Sequence, residues 1–216
     1  MEIERLAHRG FWREPEEKNT RIAFKRAFDS GFGIETDVRD QSGVPVISHD
    51  PPCGDVELTF ADFLTVYRQS GALGTLALNI KSDGLTSMIV DLLEQNSIPD
   101  YFVFDMSVPD MLHYLKRGTR TFCRQSEFET PSFLRAERGF PAIDGIWLDS
   151  FQSIWYSTDV IRDHLMAGRD VCLVSPELHR RECQEAWSEW RRFAAQMDES
   201  PEYGKLMLCT DFPDRF

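Results

Sequence analysis

His8 and Arg9, Glu35 and Asp37, His49 and Lys81 are the side chains whose types and spacing suit a common chemistry. Carboxylates at i and i+2 on a strand share a face and offer hard oxygen ligands to Mg²⁺ or Ca²⁺. Arg9 can hold a phosphoryl group in a bidentate fork, and Lys81 can neutralise one as a point charge. Two histidines flanking a phosphorus centre can serve as general base and general acid. A divalent cation would stabilise charge on the phosphoryl oxygens and orient the nucleophile. The set suits metal-assisted cleavage of a phosphodiester.

Composition narrows the setting. The 216 residues are most simply one domain, long enough to bury a sizeable core. Acidic residues outnumber basic ones 36 to 24, which disfavours a nucleic-acid surface or an anionic membrane as partner. The N-terminal MEIERLAHRG lacks the apolar core of a signal peptide. No apolar run approaches the roughly 20 residues of a membrane span. Five cysteines, at 53, 123, 172, 183 and 209, form no CxxC pair, so neither a zinc site nor a disulfide framework is expected. The expectation is a reduced, cytoplasmic protein acting on a small molecule, with its oligomeric state open.

The elements that must position these residues follow from the apolar pattern. Strand-like runs occupy 3–7, 33–38, 44–48, 76–80, 101–105, 119–123, 145–149, 170–174 and 206–210. Amphipathic segments lie between most of them. Asn19 or Thr20 can cap a helix burying Phe24, Ala27 and Phe28, with Gly31 closing it. Thr59 and Asp62 suit the start of another, and the longest helix is expected over about 178–197. Only RDQSG separates 33–38 from 44–48, too short for a parallel crossover, so these two runs form a hairpin. Setting the returning arm aside leaves eight βα units, the number that closes a (β/α)₈ TIM barrel; an open doubly wound sheet is the competitor. In a barrel, Glu35 and Asp37 stand at the C-terminal rim and the hairpin brings His49 back towards them. Other strands end there in His8-Arg9, Asn79-Ile80-Lys81, Asp105, Arg124, Asp149, Ser175 with Glu177, and Thr210-Asp211.

The order HRG (8–10), KNT (18–20) with AF (23–24), ETD (35–37) and SHD (48–50), closed by TDFP near the end, resembles the glycerophosphodiester phosphodiesterase family. The resemblance spans essentially the whole chain and is most specific in the first fifty residues. It implies a single barrel domain with His8 and His49 as the acid–base pair. Arg9 and Lys81 would sit on the phosphate, with Glu35 and Asp37 as metal ligands. The family usually reads E-x-K where this chain has Asn79-Ile80-Lys81, so the third ligand position holds an amide, whose oxygen can still coordinate Mg²⁺ or Ca²⁺. The family's Glu before Asn-Thr is Lys18, and the stretch from His49 to the LALNIK run is short.

Asp105, Arg124 and Trp147, with Asp149 and His179, lie in segments that begin at strand ends and are candidates for reading the rest of the substrate. Trp187 and Trp190 read as helix-packing residues. The leading expectation is a metal-dependent phosphodiester hydrolase, or a lyase passing through a cyclic phosphate. The alternative is a catalytically silent barrel that binds a phosphorylated ligand, motivated by the charge lost at Asn79. A metal-independent isomerase would leave the paired carboxylates without a role.

Overall fold

A computed structural model describes residues 1–55, 58–71, 74–198 and 200–216. Nine strands form one sheet: β1 (Ile3–His8), β2 (Gly33–Gln41), β3 (Val44–Ile47), β4 (Leu76–Ile80), β5 (Tyr101–Phe104), β6 (Phe122–Gln125), β7 (Gly145–Leu148), β8 (Asp170–Val174) and β9 (Leu206–Thr210). Eight of them run in the order β5-β4-β2-β1-β9-β8-β7-β6, and the ninth, β3, pairs antiparallel with β2 as the expected hairpin. A parallel bridge from Val103 to Thr121 links β5 to the approach to β6. This is the strand order of a (β/α)₈ TIM barrel.

Six α-helices alternate with the strands: α1 (Arg21–Asp29), α2 (Phe60–Ser70), α3 (Thr86–Gln95), α4 (Val108–Lys116), α5 (Thr158–Met166) and α6 (Gln184–Gln196). Among the described residues no helix joins β6 to β7, so that βα unit has only a loop, and none is long and apolar enough to cross a membrane.

The chain divides into two compact units, Leu6–Thr121 on one side and Phe122–Phe216 with Met1–Arg5 on the other. In the first, α1 and α2 bury an aromatic cluster. Phe24 meets Phe63 edge-on at 4.7 Å between centroids, and Phe28 meets Tyr67 at 5.2 Å. The start of α2 is a capping box: Thr59 Oγ1 accepts from Asp62 N–H and the Asp62 carboxylate accepts from Thr59 N–H. Ile34 and Val38 of β2 and Leu76, Leu78 and Ile80 of β4 pack into this apolar layer. Alternation therefore sends Glu35, Asp37, Ala77 and Asn79 to the opposite face.

In the second unit α6 buries Trp187, Trp190 and Phe193, and Trp187 Nε1 donates to Ser175 Oγ at 2.7 Å. Several boundaries differ from the sequence pattern, and β2 runs on to Gln41. Thr119 N–H closes α4 on Tyr114 O and Thr121 makes an isolated bridge to Val103, so continuous β6 begins at Phe122 and Arg124 lies inside it. The helix expected from 178 begins at Gln184. Pro176–His179 is instead a 3₁₀ turn, ended by Arg180 in the left-handed region (φ 59°).

His164 of α5 is buried between two polar partners, its Nε2 donating to Gln125 Oε1 (2.7 Å) and its Nδ1 accepting from Arg169 Nε (3.1 Å). Burial, and then the Arg169 charge, hold its pKa down at about 4, with Asp163 opposing weakly. The unfolded chain, with histidine at its ordinary 6.5, takes the proton first. This contribution is thus complete above pH 6.5 and is lost as pH falls to about 4, at most about 3 kcal/mol in all. Urea unfolding of wild type and His164→Asn between pH 7 and 4 should show a steeper acid-side loss in wild type; parallel curves would refute the assignment.

Candidate active site

The C-terminal ends of β1, β2 and β4 bring six of the expected residues, His8, Arg9, Glu35, Asp37, Asn79 and Lys81, into one cluster. His8 pairs in register with Glu35, Glu35 with Ala77, and Asp37 with Asn79. The side chains of Glu35 and Asp37 are 3% and 1% exposed. Ala77, between the register positions of Glu35 and Phe102, contributes only a methyl group where a larger side chain would crowd the carboxylates.

The sharp exit from β1 sets Arg9. Its own φ is 58° and that of Gly10 is 89°. A Cβ on Gly10 would lie 2.8 Å from the Ala23 methyl, so α1 closes directly on this turn. Arg9 N–H donates to Glu35 O at 2.8 Å. Its Nε stands 3.1 Å from Asp37 Oδ2 as an ion pair without hydrogen-bond alignment. Lys81, whose N–H bonds Val38 O at 2.9 Å, extends Nζ to 3.5 Å from Asp37 Oδ1 and 3.9 Å from Asp105 Oδ2. His8 Nε2 is 3.9 Å from Glu35 Oε2.

Of the two cap candidates, Thr20 takes the N-cap position. Asn19, at φ 59°, has a role that sequence reasoning did not assign: it donates from Nδ2 to Asp37 Oδ2 (3.0 Å) and accepts from Thr36 Oγ1 (2.9 Å). It holds the carboxylate in place. The available signal was the KNT triplet itself, since Asn tolerates the left-handed region better than most residues.

The backbone of the hairpin returns to β2. Ser48 N–H donates to Asp37 O at 3.1 Å, and the next residue, His49, has its carbonyl held by Arg39 Nε at 2.8 Å. The His49 side chain is 44% exposed, with Nδ1 on Asp50 Oδ1 at 2.8 Å.

Burial, then the charge of Asp37, pushes the Glu35 carboxyl well above the usual carboxylate range, against the pull of Arg9, Lys81 and a hydrogen bond from Asn79. Glu35 Oε2, Asp37 Oδ1 and Asn79 Oδ1 are buried acceptors with no hydrogen-bond partner. Buried acceptors in native proteins are almost always satisfied, and oxygens left this way are what a hard divalent cation takes. Among the described residues no three His, Cys, Asp or Glu side chains form such a group; the third oxygen here belongs to an amide. The donor set fits the cation.

The second unit has its own polar cluster at the ends of β6, β7 and β8. Asp149 is 3% exposed and accepts from His179 Nε2 (2.7 Å) on Oδ1, with Arg124 Nη1 3.3 Å from Oδ2. The Phe151 ring lies against both, 4.9 Å from the His179 ring and 5.3 Å from the Arg124 guanidinium. Glu177 anchors this rim by accepting from Ser175 Oγ, Thr210 Oγ1 and Asp211 N–H. Trp147, in register between Arg124 and Cys172, is buried.

Asn79→Glu would place a third carboxylate beside two buried ones. The ion-free variant should unfold at lower temperature than wild type and bind Mg²⁺ or Ca²⁺ about tenfold more tightly by calorimetry, a gain of roughly 1.4 kcal/mol. Unchanged or weaker affinity would mean that this side chain does not face the ion.

No protein-family model matches the sequence, and no curated protein is similar to it. Solved structures are. A Galdieria sulphuraria protein assigned as a glycerophosphodiester phosphodiesterase matches with a TM-score of 0.76 over 99% of this chain and 96% of its own, at 14% identity. An Oleispira antarctica phosphodiesterase, in complex with the product sn-glycerol-3-phosphate, matches at 0.68 over 98% and 94%, with 17% identity. A Ca²⁺-dependent phosphatidylinositol-specific phospholipase C from Streptomyces antibioticus matches at 0.60 over 97% and 95%, with 13% identity. At these identities the likeness is one of fold: the chain shares the (β/α)₈ barrel of phosphodiester-cleaving enzymes.

Proposed function

We propose that the protein is a divalent-metal-dependent phosphodiesterase acting on a small polar or lipid-derived phosphodiester by histidine acid–base catalysis. The observation that carries this reading is the trio of buried oxygens without hydrogen bonds on Glu35, Asp37 and Asn79, flanked by Arg9 and Lys81. The neighbours support it: the Oleispira antarctica enzyme holds a phosphate monoester product, and the Streptomyces antibioticus enzyme depends on Ca²⁺.

Glu35, Asp37 and Asn79 would hold Mg²⁺ or Ca²⁺, which when bound supplies charge stabilisation at the phosphoryl oxygens. Arg9 and Lys81 bind the phosphoryl group and orient it. Of His8 and His49, one takes the proton from the attacking hydroxyl as the new P–O bond forms. The other protonates the leaving alcohol as the old bond breaks. The attacking hydroxyl is water or, where the substrate has one beside the ester, its own, in which case a cyclic phosphate forms first. His49, partly exposed with Nδ1 engaged by Asp50, exchanges its proton through Nε2. Asp105 extends the site beyond the phosphate, being ion-paired to Lys81.

Turnover of an aryl phosphodiester and of glycerophosphodiesters, with and without Mg²⁺, Mn²⁺ and Ca²⁺, tests the reading. Activity should require the ion and fall ~100-fold or more in His8→Ala, with the unfolding midpoint unchanged. Full metal-dependent activity in both Glu35→Ala and Asp37→Ala would overturn the site. Absence of turnover on every diester, with phosphate esters still bound, would leave the silent ligand-binding barrel.

A further inference from the structure

The two cations assigned to the phosphate both pair with one buried carboxylate, Lys81 also reaching Asp105 at 3.9 Å. Arg9 Nε and Lys81 Nζ lie 3.1 and 3.5 Å from opposite oxygens of Asp37, whose side chain is 1% exposed. Theirs are 20% and 23% exposed, so both cations can be reached from solvent. Neither contact has hydrogen-bond alignment: Arg9 Nε and Asp37 Oδ1 count as unsatisfied atoms despite their charged neighbours. Asn19 keeps the carboxylate from following a departing cation, holding Oδ2 at 3.0 Å with Thr36 bracing the amide from behind. The pairs are close enough to neutralise and too poorly aligned to be permanent.

We propose that Asp37 is an internal latch that makes divalent-cation and phosphate binding mutually dependent. The inference rests on the phosphodiesterase reading and adds to it an order imposed by charge. A phosphate arriving alone must compete with Asp37 for Arg9 and Lys81, and success would strand a buried carboxylate without its partners. A divalent cation arriving alone lands on a carboxylate flanked by two positive groups. When both arrive, the cation replaces Arg9 and Lys81 as the partner of Asp37, and those two turn to the phosphate. Each ligand therefore raises the other's affinity, by the same factor in either direction. The latch keeps the anion site closed to phosphate compounds that come without the ion.

Calorimetry with inorganic phosphate as probe, in EDTA and in saturating Mg²⁺, tests this. Wild type should bind phosphate at least tenfold more tightly with Mg²⁺, and Mg²⁺ should gain equally from phosphate. Asp37→Asn keeps the side-chain volume and removes the competing charge. In EDTA it should bind phosphate at least tenfold more tightly than wild type, and adding Arg9→Gln should remove that gain. The unfolding midpoint of each variant checks that the barrel is intact. Equal phosphate affinity in wild type with and without Mg²⁺, or no gain in Asp37→Asn, would overturn the latch and leave the phosphodiesterase reading standing. No phosphate binding by wild type in Mg²⁺ or by Asp37→Asn would overturn both.

Discussion

The buried Asp37 carboxylate is the constraint around which the first unit is organised. A carboxylate removed from water is costly unless it is paired and hydrogen-bonded, and three separate segments converge to meet that demand. The exit of β1 supplies Arg9, the loop before α1 supplies Asn19, and the end of β4 supplies Lys81. Each carries backbone geometry that delivers it: left-handed conformations at Arg9 and Asn19, and a bond from Lys81 N–H to Val38 O. The return of the hairpin is tied to the same residue through Ser48.

Glu35, one pleat below, has no comparable set of cations. It has the Asn79 amide and the approach of His8 at 3.9 Å, and its carboxyl is pushed up by burial and by Asp37. Two neighbouring carboxylates are thus treated differently. One is neutralised by protein cations and the other is left needing a partner. The amide at position 79 belongs to this balance: a third carboxylate in the same place would add charge that the two cations do not cover. Asn79 leaves its oxygen available as a ligand without that cost to the ion-free protein.

The second unit solves a different problem with similar means. Asp149 and Glu177 are two carboxylates at the ends of β7 and β8, each surrounded by donors from neighbouring strands and turns. The 3₁₀ turn that presents His179 is fixed at its start by Ser175 and Glu177 and just beyond its end by Arg181 bonding Ser150. A strand end in a barrel has backbone groups to satisfy and functional side chains to aim, and these networks accomplish both.

Much of this was legible in the amino-acid order, because periodicity and short-range chemistry are local. Strand alternation put Glu35 and Asp37 on one face, five intervening residues forced the hairpin, and the count of apolar runs implied the barrel. The capping box at Thr59 needed nothing beyond a three-residue spacing. The registers Glu35–Ala77 and Asp37–Asn79, by contrast, were decided by tertiary structure, since pairing between strands forty residues apart is set by how whole layers pack. The same is true of Asn19, which suits a helix cap by type and became a carboxylate clamp because β2 passes beside it. Trp147 is buried in the β6–β8 register, and continuous β6 starts three residues later than its apolar run because Thr119 closes α4 and Thr121 makes an isolated bridge to Val103. The order of residues names the chemistry available on each element; which oxygens are left without partners depends on how those elements meet.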